Sequence, residues 1–263
     1  MTPDNLDRGD RARAELADLI DLQMSPLGLA AIAALAPKRG QTILDVGCGA
    51  GQTILQLMDR LGPDGHVIGV DFGPRVLAVA RARSARLRGV TLLQQDAATL
   101  SLPDACLDGI YSRFGMMFFT DTIRAFTNMR RMLRTGGSLA FVCWRAVREN
   151  ALDFVPLEAA GLDIAVDEAP FSLARSAFVE EALHAAGFDR ILIEPFDAQV
   201  SSGGIDDMLK VVMQVGALGK ILRERPELLP GTTPRVRAAL SMHEHDGQVS
   251  LNAATWIVSA IAA

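Results

Sequence analysis

The segment Asp45-Val-Gly47-Cys48-Gly49-Ala50-Gly51 follows a short apolar run, Thr42–Val46 (TILDV), and precedes a helical pattern reaching Leu61. Glycines in such a place let the backbone turn tightly and approach a ligand with no Cβ in the way. The helix that follows presents unpaired N–H groups and the positive end of its dipole, which suits a carboxylate or a phosphate. Two further acids stand at equivalent places: Asp71 closes His66–Val70 (HVIGV), and Asp96 follows Val90–Gln94 (VTLLQ). A carboxylate at the end of such a strand accepts hydrogen bonds from both hydroxyls of a ribose. One strand further on, an acid reaches an adenine amino group. Taken singly, each acid also reads as a helix cap or a solvated carboxylate. The conjunction decides: three acids and three glycines fall at three successive strand ends, and ligands bind at that edge of a parallel sheet.

The elements that must position these residues follow from the apolar pattern. Residues from about Asp10 to Ala36 show helical spacing, with Pro26 expected to split them into two helices. Gly62-Pro63-Asp64-Gly65 stops the helix after the glycine segment, and Pro74 opens another reaching about Arg88. Leu107–Tyr111 reads as a fourth strand, Asp121–Leu133 as a helix, and Gly137–Trp144 as a fifth strand. Strands this apolar are buried on both faces between helix layers. Beyond Trp144 the pattern predicts helices at about Ala177–Ala186, Ile205–Arg225 and Pro234–His243, a strand at Ile191–Val200, and an edge strand at Gln248–Ala260. The expected fold is α/β: a doubly wound, mostly parallel seven-stranded sheet of the Rossmann-like kind with helical cap elements. One domain spans 1–263, with N-terminal helices in 1–40, a cofactor-binding core in 41–145, and cap helices with the last two strands in 146–263.

Composition narrows the partners. A net charge of −5 argues against a surface that tracks a phosphate backbone, so no nucleic acid is expected. Of the 26 basic side chains 23 are arginine, and the run Arg75, Arg81, Arg83, Arg86 and Arg88 reads as a solvated helix face. Cys48, Cys106 and Cys143 are odd in number and form no CxxC pair, which predicts a reducing cytoplasm with no disulfide framework and no zinc site. Asp4, Asp7, Asp10 and Glu15 are wrong for a signal peptide, and the apolar stretches read as too short for a membrane span.

ILDVGCGAGQ, followed by VIGVD, QQDA and a fifth strand preceded by MRRMLRTGG, resembles the class I S-adenosylmethionine-dependent methyltransferases from about Ile43 to Trp144. Within them the chain is similar to the branch that includes quinone-biosynthesis enzymes. The resemblance implies S-adenosylmethionine as cofactor and S-adenosylhomocysteine as product. It places Asp45, Gly47, Cys48, Gly49 and Gly51 around the methionine portion, Asp71 on the ribose and Phe72 on the adenine. Asp96 then accepts from the adenine amino group, Ala97 offers backbone N–H to the ring, and Ser112 and Arg113 line the methyl end. A nicotinamide dinucleotide is the rival, but its GxGxxG pattern requires a small residue where Gln52 stands.

Methyl transfer from a sulfonium proceeds largely by holding nucleophile and methyl carbon close and in line, so no catalytic dyad is required and no metal is expected. The fourth-strand exit, Tyr111-Ser-Arg-Phe-Gly, lacks the Asn/Asp-Pro-Pro-aromatic tetrad of enzymes that methylate bases. Its apolar sequel instead predicts a small, apolar acceptor, with Arg113, Phe114, Met117, Trp144 and Asn150 as pocket candidates. That pocket is expected between the exits of the fourth and fifth strands and the helix Ile205–Leu222. Two rivals remain open: a non-catalytic cofactor-binding scaffold, and an enzyme that uses the sulfonium without methylating. His243 and His245 flank Glu244, but an i, i+2 pair does not share a helix face. The nucleophilic atom and the oligomeric state are not legible.

Overall fold

The computed structural model describes residues 3–263, with side chains from Asp7 onward. In chain order the elements are α1 (Pro3–Glu15), α2 (Ala17–Leu35), β1 (Thr42–Val46), α3 (Gln52–Leu61), β2 (His66–Asp71), α4 (Pro74–Ser84) and β3 (Val90–Gln94). There follow β4 (Leu107–Arg113), α5 (Thr122–Met132), β5 (Leu133–Trp144), α6 (Ala151–Ala160), α7 (Ser176–Ala185) and β6 (Phe188–Val200). The chain ends in α8 (Ile205–Val212), α9 (Gly216–Glu224), α10 (Leu229–Ser241), the short strands β7 (Glu244–His245) and β8 (Gln248–Val249), and β9 (Leu251–Ala262).

Seven strands form one sheet in the order β3-β2-β1-β4-β5-β9-β6. The first five are parallel, and β9 runs antiparallel between β5 and β6. The order reverses at β1, so β1 and β4 flank the crevice where doubly wound sheets bind ligands. Register puts Asp45 beside Gly69 on one side and Tyr111 on the other, and Asp71 beside Gln94. The acids and the glycine segment therefore share one edge. Helices α2, α3 and α4 contact one another on one face, while α5 and α7 pair and α7 packs on β6. The core between them includes the fully buried Leu44, Ile54, Leu57, Val67, Leu77, Ile110 and Phe141.

Three expectations are corrected. Pro26 does not break the N-terminal helices; it lies inside α2, and the break falls at Leu16. The carbonyl that a helical proline leaves unpaired belongs to Leu22, which is exposed and open to water. The last strand is central, because β9 is apolar on both faces, whereas β6 alternates exposed polar residues and takes the edge. The helix expected over Ile205–Arg225 is two, α8 and α9, separated at Met213–Val215 with Gly216 at φ +77°.

The expected absence of a span-length apolar helix is also corrected: α2, at 19 residues, is long and apolar enough to cross a membrane by length and composition alone. Its Met24, Leu27, Ala31, Ile32 and Leu35 are buried, and it packs on β4, β5 and β9. It also buries Asp21 and Gln23, both hydrogen-bonded.

Candidate active site

The glycine turn between β1 and α3 uses its three glycines differently. All have positive φ: +70° at Gly47, +51° at Gly49 and +86° at Gly51. A Cβ on Gly47 would lie 2.9 Å from Gly115 Cα, and one on Gly51 2.9 Å from Ala80 Cβ. These two glycines let the turn pack on its neighbours. A Cβ on Gly49 would meet nothing within 4 Å, so the turn is bare and open at that one point. Asp71 is oriented toward it: Oδ2 accepts the Gly49 N–H at 3.0 Å and Oδ1 the Gly73 N–H at 2.8 Å. Phe72, next along, is 53% exposed. Asp96 is exposed and caps the short 3-10 turn Ala97–Thr99 by accepting from Ala98 N–H at 2.9 Å. Ala97 is half-buried beside it.

Beneath the turn sits Asp45, wholly buried. Its Oδ2 accepts the Thr53 hydroxyl at 2.5 Å, while Oδ1 has no hydrogen-bond partner. Burial pushes its carboxyl up to about 7, opposed by the Thr53 hydrogen bond and the charge of Arg113. A buried orphan oxygen is costly, and this one belongs to the strand that leads into the glycine turn. Cys48 is buried too, and burial with the charges of Asp45 and Asp71 pushes its thiol far up. It therefore supplies no thiolate. Its N–H goes to Val70 O.

On the acceptor side the structure redistributes the candidates. Ser112 is sealed in the core, donating to Val46 O at 2.7 Å and accepting from Gly115 N–H at 3.0 Å. It ties β1 to the turn after β4 and lines no surface. Arg113 donates to Gln52 Oε1 at 2.5 Å and to Asp21 Oδ1 at 2.9 Å, so its guanidinium holds α2 and α3 together. Asn150 is fully buried, donating its amide N–H groups to Arg145 O and Ala146 O and accepting from Ala254 N–H with Oδ1. Both ends of the Asn150 amide are thus engaged within the protein, and Arg113 spends Nη1 and Nη2 on Gln52 and Asp21. Phe114 adopts φ +60° and stacks on Trp144 with ring centroids 4.1 Å apart. A bulky residue in that region is strained; the tight turn lets Gly115 nestle against Val46.

Met117 and Trp144 are 2% and 9% exposed, hence closed in the core. The expected apolar pocket beside α8 and α9 is corrected accordingly: the exits of β4 and β5 are filled by their own side chains. Of two cavities described, one of about 210 Å³ lies beyond Asp96 against Phe118, Phe119, Asp121 and Arg124. The other, about 320 Å³, opens at the β3 edge around Arg81, Leu87 and Leu92. Neither adjoins the Phe114–Trp144 stack.

The family described as methyltransferase domain matches residues 43–137, the stretch holding the glycine turn, Asp71 and Asp96. That segment is similar to methyltransferase domains. The demethylmenaquinone methyltransferase of Listeria welshimeri is 34% identical over 107 residues, 40% of this chain and 45% of the relative. The aklanonic acid methyltransferase of Streptomyces is 28% identical over 136 residues, 51% of this chain and 61% of the relative. The matched part thus spans about half the length of these relatives. The solved phosphoethanolamine N-methyltransferase 2 of Haemonchus contortus, in complex with phosphomonomethylethanolamine and S-adenosylhomocysteine, superposes with TM-score 0.57 at 20% identity, covering 90% of this chain and 52% of that one. That likeness is one of fold.

Around this segment stand residues that sequence reasoning missed. Asp10 of α1 is buried and accepts the N–H groups of Arg75 and Val76 at the head of α4, at 2.8 and 3.2 Å. Asp21 of α2 bridges Arg113 and Arg83, the latter at 2.6 Å, and Arg83 also donates to Ala50 O at 3.0 Å. The reading of the arginine run as a solvated face is therefore corrected at Arg83. Asp10 and Asp21 are each more than 50 residues from their partners, so no local pattern marks them. On α6, Asp153 accepts the Ala217 N–H at 3.1 Å, and its enclosure pushes its carboxyl up.

Proposed function

We propose that this protein transfers a methyl group from S-adenosylmethionine to a small, largely apolar acceptor. One observation carries the reading: an open glycine turn at Gly49, with Asp71 held against it and the orphaned Asp45 Oδ1 beneath it. These residues fit the cofactor. Gly49 leaves room for its backbone, Asp71 has carboxylate lone pairs for ribose hydroxyls, and Asp45 offers a buried acceptor for a cationic amino group. The exposed ring of Phe72 gives an apolar face for a base. When bound, S-adenosylmethionine supplies an electrophilic methyl on a good neutral leaving group.

What the chain supplies is position. The hydrogen bonds to Gly49 and Gly73 fix the Asp71 carboxylate before any ligand arrives. The Asp21–Arg83–Arg113–Gln52 network holds α2, α3 and α4 as one wall, and the Ser112 hydroxyl fixes the β4 exit against β1. Preorganisation of this kind is sufficient for an in-line displacement. The three free cysteines fit a reducing cytoplasm.

The test is incubation with methyl-labelled S-adenosylmethionine and a fractionated metabolite extract. Label appearing in a small organic product is the expected result. Cofactor binding with no transfer to any fraction favours a scaffold or a non-methylating enzyme.

A further inference from the structure

Where α1 meets α9, the guanidiniums of two arginines approach one point of the α1 backbone. Gly9 of α1 is buried, and the place a Cβ on it would occupy lies 3.7 Å from Arg13 Nη1, 3.7 Å from Arg223 Nη2 and 3.8 Å from Arg223 Nε. Both guanidiniums thus lean over the same bare patch of helix. Arg223 is half-buried; its Nη1 donates to Gln214 O, while its Nε is buried without a hydrogen-bond partner. Burial first, and then the charge of Arg13, lower its basicity to about 10, with Glu224 opposing. Among the described residues, neither Arg13 nor Arg223 forms an ion pair.

Like charges held this close, one of them partly desolvated and with an orphan donor, lack the compensation that buried charges ordinarily have. An anion between them supplies it. A carboxylate suits the place, because its two oxygens accept from Nε and Nη donors in a planar fork. The seam is also in the right part of the molecule. Asp10, the residue after Gly9, pins α1 to the head of α4, three residues beyond Asp71. On the other side α9 packs on α6, which leaves β5. The two arginines therefore stand where α1, pinned to the head of α4 just beyond β2, meets α9, which packs on α6.

We propose that Arg13 and Arg223 form an anion site that takes the carboxylate of a ligand bound at this edge of the sheet. In naming the source, the proposal rests on the methyltransferase reading. The carboxylate belongs either to the amino-acid end of the cofactor or to the acceptor, and two arms of one experiment separate them.

The variants are Arg13→Gln and Arg223→Gln. In the first arm, calorimetry compares S-adenosylhomocysteine with 5′-methylthioadenosine, which has the same nucleoside without the amino-acid carboxylate. A loss of tenfold or more for the first ligand, with the second unchanged, assigns the site to the cofactor. In the second arm, benzoate is titrated in a thermal-shift assay. Salt-sensitive stabilisation of the parent protein that disappears in both variants, with S-adenosylhomocysteine affinity intact, assigns it to the acceptor. Unchanged affinity in both variants together with no differential benzoate effect overturns the proposal. If the parent protein binds no S-adenosylhomocysteine, the methyltransferase reading fails, and the benzoate arm still decides the anion site. Arg13→Gln, on the half-exposed side chain, carries the test if Arg223→Gln does not fold. Without ligand it should melt no lower than the parent, whereas a structural role for Arg13 requires a lower Tm.

Discussion

Asp45→Asn should make the protein more stable and a poorer binder at once. Asp45 is wholly buried, takes one hydrogen bond from Thr53, and leaves Oδ1 without a partner, so burial pushes its carboxyl up to about 7. An unfolded chain holds an aspartate near 4, and each tenfold change in proton affinity is worth about 1.4 kcal/mol, so keeping Asp45 ionised in the fold costs roughly 4 kcal/mol. The folded-state value is the raised one, which sets the sign. Below about pH 4 both states hold the proton and there is no penalty. As pH rises toward 7 the unfolded chain releases its proton first and stability falls; above 7 the penalty is complete. The amide has the same shape and never ionises. Urea denaturation should therefore show the variant more stable by up to roughly 4 kcal/mol at pH 8, with the two curves converging toward pH 4. Calorimetry at pH 8 should show at least a tenfold loss of S-adenosylhomocysteine affinity, because the buried anion facing the ligand is gone. A stability difference that is constant between pH 4.5 and 8.5 refutes the reasoning.

Asp21→Asn removes the carboxylate that Arg83 and Arg113 share. Uncompensated buried charge of this kind costs about 3 kcal/mol, so urea denaturation should show a loss of that order, and a loss below about 1 kcal/mol contradicts the network. Asp71→Ala deletes a charge-assisted acceptor for hydroxyl donors, and S-adenosylhomocysteine binding should weaken by about 1.5–3 kcal/mol in calorimetry. Unchanged affinity in the folded variant would mean that Asp71 holds only its own turn.

The strand-end placement of the proposed cofactor site was legible because its signals are local. Asp45 to Gly51, Asp71 and Asp96 each fall within one or two residues of a strand end, and a parallel sheet brings strand ends to one edge. The sheet itself was legible for the same reason, since runs such as TILDV and FVCW are apolar throughout. The acceptor half was not. Whether Ser112, Arg113 and Asn150 face a ligand or their own backbone depends on partners at Val46, Asp21 and Ala254, which no spacing rule connects. Asp10 and Arg83 escaped for that reason also: each acts across two helices that meet only in the fold. The position of β9 was misjudged because its apolar, β-branched run was weighed as the end of a chain, when burial on both faces required a neighbour on each side.

The account stands or falls on the open point of the glycine turn, and one titration reaches it. Asparagine tolerates the left-handed backbone that Gly49 adopts at φ +51° better than valine does. Nothing lies within 4 Å of its Cβ position, so Gly49→Asn should fold with a Tm within a few degrees of the parent protein. Its side chain enters the space assigned to the cofactor. Calorimetric titration with S-adenosylhomocysteine should show binding to the parent and a loss of more than tenfold in Gly49→Asn. Equal affinity in the two folded proteins would contradict the assignment of this turn as the cofactor site.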